Sequence, residues 1–550
     1  MRSLEESPGR SEHGYAHRLV GATTLRVATF LLLVLAACTS RPPASPAASG
    51  TPSTAKASSP EAEAPATADS APTPDDAIAD LQKIDPGSPE ALNDHLEYAD
   101  RLVSARDADC QSRLINAQSE LDAASGDPVL SVVLPLGMAR QADLRYRIHA
   151  ARASCKALAP QRETELQEAL AAAQQAVSLF RDALDYESMA VAQFNVAVTE
   201  RLLGDNGASL ASLEAALALD KEFGLHQDAA DNATLLARWR GEPATAPIAD
   251  FPVRTVTLKS WQPADAQVSV QIDETSIING KIIRGRAHRT FEQHVQRHSG
   301  DWVVSYEPGG VGYDVAQWPQ ENSDISDLVR SFERALLMPT VRVDSKGNFE
   351  RVTRLQNFSA EQLAAAHALM LDHVSNAHLG SRDLELIANA FHPLTVKSLA
   401  AEDYNLHAGM WIGATLEQGV WYQLAAPLTL PGARQLQLAN DIEFAYTRDV
   451  PCTGAATQRS CVEIVVHAKP QPAAVTELIE SFYYPFVKSE NDRMHYWSAT
   501  YIRMVTDPET LATRVYDVRS YWHSSDRKAT HEGTNDRSER IVSTFTYPTP

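Results

Sequence analysis

In the stretch HRTFEQHVQRH, four side chains with metal-binding chemistry fall close together: His288, Glu292, His294 and His298. On a helix, His294 and His298 would share a face and close on a zinc ion. The residues around them alternate as a strand does, and positions four apart in a strand lie about 13 Å apart, too far for one ion. A solvated polar face without metal is expected instead. His373 and His378 sit roughly 140° apart around an expected helix and do not chelate together. The glycine-rich EPGGVGYD at 307–314 lacks the GxxxxGK[ST] spacing that cradles phosphate, and reads as a loop. There is no G-x-S-x-G elbow and no H-E-x-x-H pair. The aromatic residues Phe482, Tyr483, Tyr496, Trp497 and Tyr501 are of the kind that packs a core or lines an apolar pocket. The expectation is a protein with no catalytic residues, no metal and no cofactor, a hydrolase with scattered catalytic groups being the remaining enzymatic reading.

The cysteines carry more. The apolar run Val27 to Ala37 is 11 residues long, against the roughly 20 that a bilayer requires. Arg26 precedes it, small residues end it, and Cys38 follows, which is the order of a secretory signal. Leu35-Ala36-Ala37-Cys38 resembles the lipobox of bacterial lipoproteins. That resemblance implies removal of residues 1–37, a diacylglycerol on the Cys38 sulfur and acylation of the new N-terminus. Thr39 rather than aspartate at the next position implies the outer membrane, with the protein facing the periplasm. Glu5, Glu6 and Glu12 make the stretch before Arg26 unlike the start of such a signal, so initiation is expected downstream of Met1. Two or more acyl chains hold a protein stably where one does not.

With Cys38 lipidated, four cysteines remain of the five in the chain. An oxidising periplasm favours their pairing. Cys452 and Cys461 flank TGAATQRS, a polar loop between two strand-like runs, and are expected to clamp a hairpin. Helices expected from about 108 to 124 and after Pro135, joined at Gly126-Asp127-Pro128, put Cys110 and Cys155 at similar distances from the turn. Neither pair has the CxxC or CxxH spacing of a structural zinc site.

The 550 residues suggest two or three domains. Net charge is −21, and about −22 once the four Arg and three Glu of the signal are gone. Clustered basic residues are missing, so nucleic acid and adhesion to anionic lipid are not expected. Past Cys38, residues 38–76 are Pro, Ala, Ser and Thr with no periodicity, the composition of a disordered leash.

Residues 77–245 read as successive helices. Leu166, Ala169, Leu170, Ala173, Val177, Phe180 and Leu184 make one apolar stripe, and Leu210, Leu213 and Leu217 repeat it after the break Gly204-Asp205-Asn206-Gly207. LLGDNGASLASLEAALALDKEFG resembles a tetratricopeptide repeat, with Gly204-Asp205 at the inter-helix turn and Ala197, Ser209 and Ala216 at positions of close helix contact. Lys221 stands where that family has proline, and no aromatic residue occupies the place near Glu200. The resemblance implies stacked helix pairs with a concave binding face.

From 250 to 550 the period becomes two. Val268, Val270 and Ile272 alternate with polar residues, and Asn279-Gly280 between two isoleucine pairs is a hairpin signal. VRVDSKGNFERV at 341–352 reads as a second hairpin. Later strands are expected in RQLQLANDIEFAYTRDV, CVEIVVHA, HYWSATYIRMV, RVYDVRSYW and RIVSTFTY, and inserted helices after Ser323, Ser359 and Pro472. Such alternation predicts an antiparallel sheet buried on one side and wet on the other. About ten strands are too many for a flat open sheet, so a curved, half-barrel-like sheet with helices over its concave face is expected. The fold class is α+β.

Two functions follow from these expectations. The first is a non-enzymatic envelope lipoprotein that acts as an assembly module, its helical repeats holding a protein partner. The alternative is a carrier whose β domain encloses an apolar ligand such as a lipid or acyl chain.

Overall fold

The computed structural model describes residues 89–105, 109–125, 135–242, 254–278, 281–308, 340–354, 404, 407–429, 437–452, 460–470, 493–528 and 531–548. Cys38, the leash, the Asn279-Gly280 turn and the helices expected after Ser323, Ser359 and Pro472 lie outside the described residues.

Seven helices are described: α1 (Pro89–Ser104), α2 (Cys110–Ser125), α3 (Pro135–Ser154), α4 (Arg162–Asp182), α5 (Tyr186–Leu202), α6 (Asn206–Phe223) and α7 (His226–Arg240). Pro89 and Pro135 open their helices, where a missing N–H costs nothing. The Asp185 side chain caps α5 by accepting from the Ser188 amide at 3.1 Å, and Asp205 caps α6 through the Ala208 amide at 2.9 Å. The break at Gly204-Asp205 is therefore a real inter-helix turn. The α4 stripe is buried at Leu166, Ala169, Ala173, Val177 and Phe180. Ala197, Ser209 and Ala216 are all fully covered. Each helix from α3 to α7 packs against the next in the chain. A disulfide joins Cys110, at the start of α2, to Cys155, just past α3.

The strands are β1 (Thr255–Thr257), β2 (Ala266–Ile278), β3 (Lys281–His298), β4 (Asp301–Pro308), β5 (Thr340–Val343), β6 (Phe349–Arg354), β7 (Thr415–Glu417), β8 (Trp421–Thr429), β9 (Gln437–Pro451), β10 (Ser460–Pro470), β11 (Arg493–Thr506), β12 (Thr513–Lys528) and β13 (His531–Thr546). β1 and β7 form a small pair. The rest make one eleven-stranded sheet in the order β6-β5-β4-β3-β2-β13-β12-β11-β10-β9-β8, antiparallel throughout. Its first and last strands meet at the centre, paired from Gln267–Thr546 to Ile278–Asn535. β2 and β3 pair up to Ile278–Lys281, which puts their connection at 279–280. In the β5–β6 hairpin Asp344 accepts from the Lys346 and Asn348 amides, each at 2.8 Å, and Gly347 takes φ +89°. The disulfide Cys452–Cys461 clamps the β9–β10 hairpin.

The sheet differs from the expectation of one wet face. On β10, Val462, Ile464 and Val466 enter a core with Ile502, Met504, Tyr516 and Trp411. The alternate residue Val465 points the other way, into a second core with Ala499 and Tyr501 of β11 and with Phe180, Met189, Val196 and Phe223 of the helices. This sector is thus covered on both faces, as an uninterrupted Ile464-Val465-Val466 run requires. On β2 the expected alternation holds at the level of burial: Val268 and Val270 are buried, Gln267 and Gln271 exposed.

Candidate functional site

The helices are fixed to the sheet by a polar joint inside that second core. Glu463, on the helix side of β10, has no exposed surface. Its Oε1 accepts from Thr447 Oγ1 at 3.1 Å and Arg448 Nε at 3.2 Å, and its Oε2 from Arg448 Nη2 at 3.2 Å and Arg503 Nε at 2.6 Å. Burial raises the carboxyl's pKa, but the charges and hydrogen bonds of Arg503 and Arg448 outweigh it and hold it below the ordinary glutamate range. Arg448 also pairs with Glu222 of α6, and lies 5.2 Å over the Phe223 ring and 5.7 Å over Tyr186. Burial, then the Glu463 charge, pushes the Tyr186 hydroxyl up to about 12, so it is neutral at physiological pH. Beside this cluster Gln418 donates to the Glu222 carbonyl at 2.8 Å and the Thr447 carbonyl at 3.0 Å. The backbones touch here: a Cβ on Gly419, at φ +76°, would lie 2.9 Å from the Phe223 carbonyl oxygen.

Docking on the sheet uses one side of α5 and leaves the other. Tyr186, Met189, Ala192 and Val196 are in the shared core. Glu187, Val191, Asn195, Val198 and Leu202 follow at spacings of four, four, three and four, a single stripe on the opposite side. Val191 is 47% exposed and Leu202 50%, both large and apolar. At its start Glu187 has its carboxyl pushed up by burial and then by the charges of Asp185 and Asp228.

A third feature lies at one end of the sheet, where β3, β4, β11, β12 and β13 finish or begin. Residues 260–264 cross this end, held by hydrogen bonds from the Lys259 amide to the Pro508 carbonyl (2.9 Å) and from the Gln262 amide to the Thr510 carbonyl (2.8 Å). Between them opens a cleft of about 620 Å³, with Trp261, Arg297, Trp302 and Arg514 among its walls.

The four histidine-stretch residues lie on β3, a strand over its whole length, so His294 and His298 are spaced as a strand spaces them. His288 Nε2 bonds Ser269 Oγ at 2.8 Å, while His294 Nε2 stands 3.7 Å from Glu292 and 3.8 Å from Glu307. Of the aromatic set, Phe482 and Tyr483 lie outside the described residues, as do the side chains of Tyr496 and Trp497 on β11. Tyr501 is buried in the shared core, edge-on to His467 at 5.1 Å and to Tyr521 at 5.8 Å. His373 and His378, and residues 309–314 of the glycine-rich stretch, are likewise outside. Neither the joint nor the cleft is legible in the sequence, because each draws its residues from segments far apart in the chain, and Arg514 alone looks like any polar position of a strand. No protein-family model, no characterised protein and no solved structure matches this chain.

Proposed function

We propose that this chain is a non-enzymatic lipoprotein of the cell envelope, held by acyl chains on Cys38 to the outer membrane, where it faces the periplasm. On this reading it is an assembly module whose helices hold a protein partner. The successive packing of α3 to α7 and the covered small residues Ala197, Ser209 and Ala216 support a tetratricopeptide-like stack. The reading rests above all on the outward stripe of α5, where Val191 and Leu202 are left uncovered among the described residues, on a helix whose other side is anchored. Its acidic start at Glu187, near Asp185 and Asp228, selects the occupant: an amphipathic segment of a second protein with apolar residues along the stripe and a basic residue at the Glu187 end.

A photo-crosslinking amino acid at Leu202 in living cells tests this. The expected result is one protein adduct that disappears on Val191→Asp and weakens on Glu187→Lys. No protein adduct, or one indifferent to both changes, overturns the reading. The anchor is tested separately by alkynyl fatty-acid labelling of wild type and Cys38→Ala, and equal labelling of the two would remove it.

A further inference from the structure

We infer that the cleft at the end of the sheet binds a small organic anion, its carboxylate or phosphate head on Arg514 and Arg297 and its apolar body against Trp261 and Trp302. Arg514 is the second residue of β12 and is only 8% exposed. Its guanidinium lies 4.3 Å over the Tyr547 ring, which satisfies a face of the group and none of its N–H bonds. Its Nε and Nη1 are buried and have no hydrogen-bond partner among the described residues. A buried guanidinium with two N–H groups unmatched is costly, and its occurrence in a fold calls for a reason.

The cleft supplies one. Arg297, at the end of β3, brings a second guanidinium, stacked 5.2 Å over Trp302. Asp507 is the one acid among the described residues lining the cleft. Its Oδ1 already accepts from the Glu509 amide at 2.8 Å and the Thr510 amide at 3.3 Å. Two cations against one engaged carboxylate make this wall positive in a chain of net charge −21. Guanidinium forks match carboxylate and phosphate oxygens in pairs, and Trp261, edge-on to Tyr404 at 5.0 Å, offers a fixed apolar wall. A cleft of about 620 Å³ suits a small molecule rather than a polymer.

Calorimetric titration of the full-length protein with phenyl phosphate, benzoate, phenol and inorganic phosphate tests the proposal. Phenyl phosphate or benzoate is expected to bind where phenol does not, the tighter of the two naming the head group, and inorganic phosphate is expected to bind more weakly than phenyl phosphate. Arg514→Gln and Arg297→Gln should each weaken binding about tenfold or more. Arg514→Met should raise the melting temperature of the ligand-free protein while abolishing the ligand-induced rise. Arg297 is exposed, so its variant keeps the test open should Arg514 variants fail to fold. Phenol binding as well as the anions, neither anion binding at millimolar concentration, or unchanged affinity in Arg297→Gln would overturn it.

Discussion

Replacing Glu463 by glutamine separates the charge at the joint from its shape. The change leaves Arg448 and Arg503 facing each other without the carboxylate that each now grips, and places an amide NH2 against guanidinium donors. Removing one partner of a fully buried pair costs about 3–5 kcal/mol. Here the two arginine side chains retain about a quarter of their exposure, and Arg448 keeps Glu222, so water and the second acid absorb part of the loss. We expect about 2–3 kcal/mol. With an unfolding entropy of about 2.1 cal/mol/K per residue, a cooperative unit of roughly 400 residues would melt ~2–4 °C lower. Urea unfolding and calorimetry at pH 7 measure this, and Glu463→Gln combined with Arg503→Gln should recover about 1 kcal/mol. The pH dependence adds a signature. Since the folded carboxyl titrates below its ordinary value of 4.5, its stabilisation is complete above that value and fades as pH falls through the folded one. Wild-type and variant stabilities should therefore run parallel from pH 7 to 5 and converge in more acid solution. Equal stabilities at pH 7, or a gap that persists undiminished at the acid end, would refute the account of the joint.

Three further outcomes are expected. Gly419→Ala forces a Cβ against the Phe223 carbonyl at a positive φ, and should cost about 2 kcal/mol or more and loosen the helices from the sheet, seen as faster amide exchange in α6. Chain-entropy arguments give the 45-residue separation of Cys110–Cys155 about 4 kcal/mol and the 9-residue separation of Cys452–Cys461 about 2.6 kcal/mol, so the Cys110→Ser/Cys155→Ser variant should show the larger drop in urea midpoint. Asp220 is buried, and burial outweighs the hydrogen bond from Asn232 (2.7 Å) to push its carboxyl up to about 6. Its protonated form favours the fold, so that contribution is full below the ordinary value of 3.8 and lost as pH rises through 6. Asp220→Asn should flatten that slope in a pH series of urea midpoints.

The sequence carried the local structure because local structure has local causes. Asp185 and Asp205 mark helix starts, Val268 and Val270 alternate with polar neighbours, and each disulfide joins residues of two elements that neighbour each other in the described chain. The double coverage of β10 was written in Ile464-Val465-Val466, but which element lay on each face was not. That depends on contacts such as Glu222 with Arg448, separated by 226 positions, and no short-range pattern encodes them. The cleft is less legible still. Trp261, Arg297, Arg514 and Tyr547 become neighbours only because strand order brings several strand ends to one rim.

That strand order has a consequence for how the body is made. β2 to β6 form one meander and β8 to β13 another, and the seam between β2 and β13 is the only ladder joining them among the described strands. A nascent chain can zip up each meander as it emerges, yet β2 must wait, its edge bare, until more than 250 further residues have arrived. Losing the final strand would therefore unstitch the molecule through its middle rather than trim its end.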